Sequence, residues 1–199
     1  MAKKGVFICI EGLDGCGKTT QAKLLVARLR QQYDAVYTAE PSDGKIGSFI
    51  RRSYLYSERR ISHVAEALLF AADRVDHLER EVLPALRKGQ VVVSDRYVYS
   101  SMAYQGAAGL DLGWIKKINE YAIRPDLAFF IDVTPEVVMQ RLRRRRTVME
   151  NLSTQQHVRE VYLKFVNEGI LVRIDGEQTK EAVANALLAV VLTFLEANR

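Results

Sequence analysis

Gly12-Leu13-Asp14-Gly15-Cys16-Gly17-Lys18-Thr19 reads G-x-x-x-x-G-K-T, the spacing of a phosphate-binding loop. The apolar run Val6-Phe7-Ile8-Cys9-Ile10 precedes it, and Gln21 to Arg30, which reads as a helix, follows. The motif therefore lies in the strand–loop–helix context it needs. Gly12, Gly15 and Gly17 let the backbone turn sharply and aim its N–H groups inward. The start of the helix adds unsatisfied donors and a partial positive charge. Lys18 can reach terminal phosphates, and the Thr19 hydroxyl can ligate magnesium. A chance Gly-rich turn would produce the pattern on the order of once in a hundred chains of this length. The stretch from Gly12 to Thr20 predicts a nucleoside triphosphate site.

Around this loop, short β-branched runs alternate with longer helical ones, the mark of a parallel sheet covered on both faces. The second strand is Asp34 to Ala39, stopped by Glu40-Pro41-Ser42-Asp43-Gly44. A helical stretch from Ile46 to about Tyr56 precedes a long one, Ser62 to Arg87, whose last turns Pro84 is expected to kink or end. Val91-Val92-Val93-Ser94 reads as the most buried strand and runs into Asp95. A polar and aromatic stretch from Arg96 to Gln105 and a Gly-rich loop lead to a helix expected from Asp111 to about Ala122. Leu127 to Asp132 and Ile170 to Ile174 complete five strands. Helices from Pro135, over Ser153 to Asn167 and over Lys180 to Ala197 fill the rest. The fold class is α/β, a five-stranded parallel sheet flanked by helices in three layers.

The bulk properties set the bounds. At 199 residues, one domain spanning 1–199 is the simplest expectation, with a lid at about 141–153 where charge is dense and apolar period is lost. No apolar run is long enough to span a membrane, and the N-terminus lacks a signal-peptide pattern. The two cysteines form no disulfide framework, so a cytoplasmic setting is expected. A net charge of +5, with arginines clustered at 51–52, 59–60 and 143–146, suits anionic ligands.

In open parallel sheets, ligands collect beyond the carboxyl ends of the strands. Those ends carry Glu11 and Asp14, Glu40, Asp95-Arg96, and Asp132. Any one acid reads most simply as a polar cap, but four ends together favour a magnesium–phosphate site. Asp95 closes a buried strand, a position suited to a water bound to magnesium.

Asp95-Arg96-Tyr97-Val98-Tyr99-Ser100-Ser101-Met102-Ala103-Tyr104-Gln105-Gly106 closely resembles the D-R-Y-x-x-S-S-x-A-Y-Q-G signature of thymidylate kinases. Leu68 to Arg74 resembles their L-L-F-A-A-D-R helix, Glu40-Pro41 the start of their E-P-G-G-T-P loop, and Arg124-Pro125-Asp126-Leu127 their R-P-D-L. The phosphate loop matches theirs throughout, and the likeness holds in register from about Val6 to Ile131. It implies a P-loop NTPase fold and transfer of the γ-phosphoryl group of ATP to dTMP, with Mg²⁺. By the same resemblance, Phe70 would stack on thymine. Arg74, Ser101 and Gln105 would hydrogen-bond around the base, and Glu40 would belong to the same site. Asp14 would accept the sugar 3′-hydroxyl, Tyr104 would pack where a 2′-hydroxyl would sit, and Arg51 and Arg96 would clamp the 5′-phosphate. Thr19 and Asp95 would serve the metal. The family forms homodimers through helices that include the long one here. Nucleic acid is not the expected partner.

A phosphate acceptor needs no general base, so the residues expected to carry catalysis are cationic: Lys18, Arg96 and Arg51. Thymidylate kinases carry a further arginine either at the position of Cys16 or in the lid. Cys16 supplies no charge, so the chain resembles the lid-arginine type; of the run Arg143-Arg144-Arg145-Arg146 only one or two can face the phosphate, with Arg143 and Arg146 the candidates named. Two departures stand out. Ser42-Asp43-Gly44-Lys45 replaces the family's G-G-T-P, and Thr147-Val148-Met149-Glu150-Asn151 replaces an acidic D-R-x-E motif. The rival readings are a kinase for another pyrimidine nucleotide or deoxynucleoside, and an ATP-switched binding protein.

Overall fold

The computed structural model describes residues 5–55, 61–142 and 152–198. Its elements in chain order are β1 (Val6–Gly12), α1 (Lys18–Leu29), β2 (Ala35–Ala39) and α2 (Lys45–Phe49), followed by α3 (His63–His77), α4 (Leu83–Arg87) and β3 (Val91–Asp95). Then come α5 (Val98–Ala107), α6 (Leu112–Ile118), β4 (Leu127–Asp132), α7 (Pro135–Arg141), α8 (Leu152–Asn167), β5 (Val172–Asp175) and α9 (Lys180–Ala197).

Phe7, Ile8, Cys9 and Ile10 of β1 and Val91, Val92 and Val93 of β3 are all buried. Strands that are apolar on both faces fit only the middle of a sheet covered on both sides. All pairings are parallel, in the order β2-β3-β1-β4-β5. The register pairs Ala39 and Ile10 with Asp95, Gly12 with Ile131, and Asp132 with Asp175. Every strand thus ends on one rim. The chain leaves β1 for β2 on one side, and crosses from β3 to β4 on the other, which opens a crevice beyond β1 and β3. Helices α1 and α9 pack together, joined by Gln21 Nε2–H to the Lys180 carbonyl at 3.0 Å and by Arg28 to Asn185 and Glu181. Helices α3, α5 and α8 build the group that bears on the crevice.

Several boundaries differ from the sequence expectations. Pro84 does not end the long helix. A π-helical turn over Leu78–Val82 precedes it, and the helix continues through Arg87. A second π turn, Ile50–Tyr54, continues α2, and Tyr56 lies outside the described residues. The expected strand at Ile170 starts two residues later. Ile170 and Leu171 give their N–H groups to the Phe165 carbonyl, closing α8 beyond the left-handed Gly169. The segment after Arg96 is helical as α5. Its amphipathic period is hidden because its inward residues include buried Ser101 and Gln105.

Candidate active site

The phosphate loop joins β1 to α1. Gly12 and Gly17 have φ of 151° and 101°. A Cβ at Gly12 would lie 2.7 Å from Cys16 Sγ and 2.8 Å from the Ile131 carbonyl oxygen, so a glycine is required there. Lys18 is buried and spans the loop, donating to the Leu13 carbonyl at 2.7 Å, with Cys16 Sγ at 3.9 Å. The Thr19 hydroxyl donates to Asp95 Oδ2 at 2.5 Å. Asp95 Oδ1 is buried and accepts no hydrogen bond. Nearby, the Tyr37 phenol is pushed up to about 12 by burial and by the Asp95 carboxylate. A hydroxyl beside a carboxylate with one uncommitted oxygen is a donor set suited to a hard divalent cation and its water.

Arg96 follows β3 with φ of 73°, a left-handed conformation that no other non-glycine among the described residues adopts. Its N–H donates to the Ile10 carbonyl at 3.0 Å, and its carbonyl accepts from the Ser94 hydroxyl at 2.6 Å. The strained backbone is therefore held from two sides, and the side chain is aimed into the crevice. The Arg96 guanidinium pairs with Asp14, donates to Ser100 Oγ at 2.9 Å, and lies 5.1 Å from the centre of the Tyr104 ring. Burial would raise the Asp14 carboxyl, but Arg96 and Lys18, with the Tyr104 hydroxyl, hold it below the usual aspartate range. Behind this group Glu11, fully buried, accepts from the Tyr97 N–H at 3.0 Å, Ser100 Oγ at 2.6 Å and the Tyr162 hydroxyl at 3.2 Å. Burial pushes the Glu11 carboxyl up. Ser100 thus relays Glu11 to Arg96, giving its proton to the acid and its lone pair to the guanidinium.

The third group lies on α3 and α5. Ser62 caps α3, accepting from the Ala65 N–H at 3.2 Å. Phe70 and Arg74, four residues apart, share a helix face. Phe70 is half-buried, whereas Arg74, a residue type more often at the surface, is only 2% exposed. Arg74 donates to Glu40 Oε2 from Nε at 3.0 Å and from Nη2 at 2.7 Å, to Ser101 Oγ at 3.1 Å, and to Asn119 Oδ1. The other oxygen of Glu40 meets His77 Nδ1 at 3.2 Å. Gln105 donates to Glu66 at 2.8 Å and leaves its own buried Oε1 without a partner.

Arg51 is turned to the loop after β2, where it donates to the Pro41 carbonyl and, at 2.7 Å, to Asp43. These bonds do not join it to Arg96. The loop itself is pinned where it departs from the family pattern. Ser42 donates to Asp73 through its N–H at 2.7 Å and its hydroxyl at 2.6 Å. Asp132 is held instead in ion pairs with Arg159 at 2.7 Å and Arg173 at 2.7 Å, so the structure uses this strand end as a charge hub. Arg143 and Arg146 lie outside the described residues, and most of the expected lid with them.

The residues that motif reading did not single out are His77, Asn119, Glu66 and Tyr162. The three-residue spacing from Arg74 to His77 was the available signal for the first. Glu66, four residues before Phe70 on the same helix, had a signal of the same kind, whereas Asn119 and Tyr162 come from distant parts of the chain.

The thymidylate kinase family matches residues 10–187 of this chain. A probable thymidylate kinase of Thermococcus kodakarensis is 42% identical over 96% of this chain and 98% of its own. One from Pyrococcus horikoshii is 47% identical over 81% of this chain and 83% of its own. A thymidylate kinase of Caldanaerobacter subterraneus subsp. tengcongensis is 39% identical over 97% and 98%. With likeness of that extent, and a phosphate loop, Asp95 at the end of a buried strand and the D-R-Y helix on one rim of a parallel sheet, the chain belongs to the thymidylate kinase family.

Proposed function

We propose that this site runs the dTMP kinase reaction, ATP and dTMP to ADP and dTDP, by positioning and charge neutralisation without a general base. An oxygen of the dTMP phosphate attacks the γ-phosphorus as the bond to the β–γ bridging oxygen breaks. Residues Gly12 to Thr20 would hold the ATP phosphates. Lys18, on release from the Leu13 carbonyl, would neutralise the transferring group. Arg96 and Arg51 would hold the acceptor phosphate, the latter by exchanging Asp43 for it. Phe70, Arg74, Ser101 and Gln105 would take the thymine, and Asp14 and Tyr104 the sugar. Thr19 and Asp95 would hold Mg²⁺, which when bound spreads the negative charge of the phosphates.

The observation that carries this reading is the state of the two acids, Asp14 and Glu40. A kinase acting on a sugar hydroxyl needs a base near that hydroxyl, whereas the oxygens of Asp14, the acid assigned to the sugar, accept from Arg96 and the Tyr104 hydroxyl, and both oxygens of Glu40 are committed to Arg74 and His77. A phosphate acceptor, mostly dianionic at neutral pH, needs none. Exposed Val64 and Leu68, four apart on α3, support the homodimer that forms part of this reading. The free thiols of Cys9 and Cys16 fit a cytoplasmic setting. Among the described residues, no helix is long and apolar enough to cross a membrane.

The test is ADP release with dTMP, dUMP, dCMP, thymidine or DNA as the second component. We expect turnover with dTMP, lower but measurable turnover with dUMP, and background with excess EDTA. One methyl group is worth only about 1–3 kcal/mol to a pocket. Stimulation by DNA or thymidine, with none by dTMP, would overturn the reading. A lid arginine completes the proposal. In single alanine substitutions at 143–146, one or two positions should lose about 10³-fold or more in kcat, the scale of an arginine finger. Uniform small losses would argue against one.

A further inference from the structure

We propose that His77 is a positioning residue for the acceptor: acting through Glu40, it fixes the Arg74 guanidinium at the pyrimidine. This rests on the reading of Arg74 as a base contact. His77 is not catalytic, because its contacts are with Glu40, Thr38 and Glu81.

A continuous polar run crosses the molecule here. Arg74, His77 and Glu81, at spacings of three and four, share one face of the long helix, which turns π-helical immediately after His77. Opposite them stand Thr38 of the edge strand β2 and Glu40 just beyond its end. The His77 side chain has no exposed surface. Its Nε2 lies 2.5 Å from Thr38 Oγ, which lies in turn 2.9 Å from Glu81 Oε2. Glu81, with its side chain 37% exposed, is the solvent end of the run. Arg74 is the end at the site.

The two oxygens of Glu40 divide the labour. Oε2 accepts both Arg74 bonds, at 2.7 and 3.0 Å, while Oε1 faces His77 Nδ1 at 3.2 Å. The terminal torsion of a glutamate is soft, so Oε2 alone does not fix the carboxylate plane. Nδ1 supplies the second point. With it gone, Oε1 is buried and loses the hydrogen bond from that side, and the carboxylate turns to find another donor. The two Arg74 bonds turn with it. His77 therefore sets the direction of a guanidinium that it does not touch.

The two ring nitrogens can be tested separately. Asparagine at 77 puts its amide nitrogen near the position of Nδ1, and glutamine puts one near Nε2. We expect His77→Gln to raise KM for dTMP about 10- to 100-fold and His77→Asn to keep it within about threefold of wild type. KM for ATP and kcat should stay within about twofold in both. A residue that merely fills the core predicts otherwise. Equal KM for dTMP in the two variants, or KM values for dTMP and ATP rising together, would overturn the inference. If neither variant folds, as judged by thermal melting, Thr38→Val carries the test from the far side of the ring. A rise of about threefold in KM for dTMP at constant KM for ATP supports the inference, and a wild-type KM overturns it. Wild-type protein that fails to phosphorylate dTMP would instead remove the base-site reading itself.

Discussion

Arg96→Ala is expected to lower kcat by about 10³-fold or more, with ATP affinity unchanged, because its guanidinium acts on charge that develops only as the phosphoryl group moves. The side chain is prepared for this. A backbone held at φ 73° by Ile10 and Ser94 aims it, and Asp14 and Ser100 fix its plane. Glu11 stands behind Ser100 at 2.6 Å, so the whole group is ordered before substrate arrives. Arg96→Lys should recover little, since an ammonium cannot reach Asp14, Ser100 and a phosphate with a planar fork. Steady-state turnover together with calorimetric ATP titration checks both halves. Turnover near wild type in the alanine variant would sink the assignment.

The second large effect is on stability. Glu40→Ala should cost about 3–5 kcal/mol in urea unfolding, the usual consequence of removing one partner from a buried ion pair. Arg74 and Glu40 have side chains only 2% and 3% exposed, so the stranded guanidinium has no route to water without moving α3. Ser101 and Asn119 still accept from Arg74 but carry no charge. His77 loses a partner as well. Glu40→Gln keeps an acceptor for Arg74 and should fall between the variant and wild type. The KM for dTMP should rise in both. A loss below about 1 kcal/mol for the alanine variant, the scale of an exposed pair, would mean that Arg74 is not confined as described.

The motif-bearing part of the site was legible because each motif is local. Gly12, Lys18 and Thr19 need only a strand, a turn and a helix start. Asp95 and Arg96 need only the end of one buried strand. Ser101, Tyr104 and Gln105 were identified by their place in a signature, yet the helix that carries them was not foreseen. Its inward face holds Ser101 and Gln105, and a polar inward face destroys the period by which a helix is read. Asp132 fails in the opposite sense. It looked like a site acid until Arg159 and Arg173, 27 and 41 residues later, were seen to close on it.

By itself the sequence determined a triphosphate loop, five strands that must lie side by side in a covered parallel sheet, and a family signature spread over three of their ends. Those follow from hydrophobic period and from residue types that one turn of backbone demands. Only the tertiary structure decided which charges are spoken for. Asp14 belongs to Arg96, Glu40 to Arg74 and His77, and Arg51 to the loop after β2, while Asp95 keeps one buried oxygen uncommitted. Pairing of this kind depends on distances between residues far apart in the chain, 82 positions in the case of Asp14 and Arg96. Burial then makes each pairing count, because a charge removed from water must find its partner within the fold.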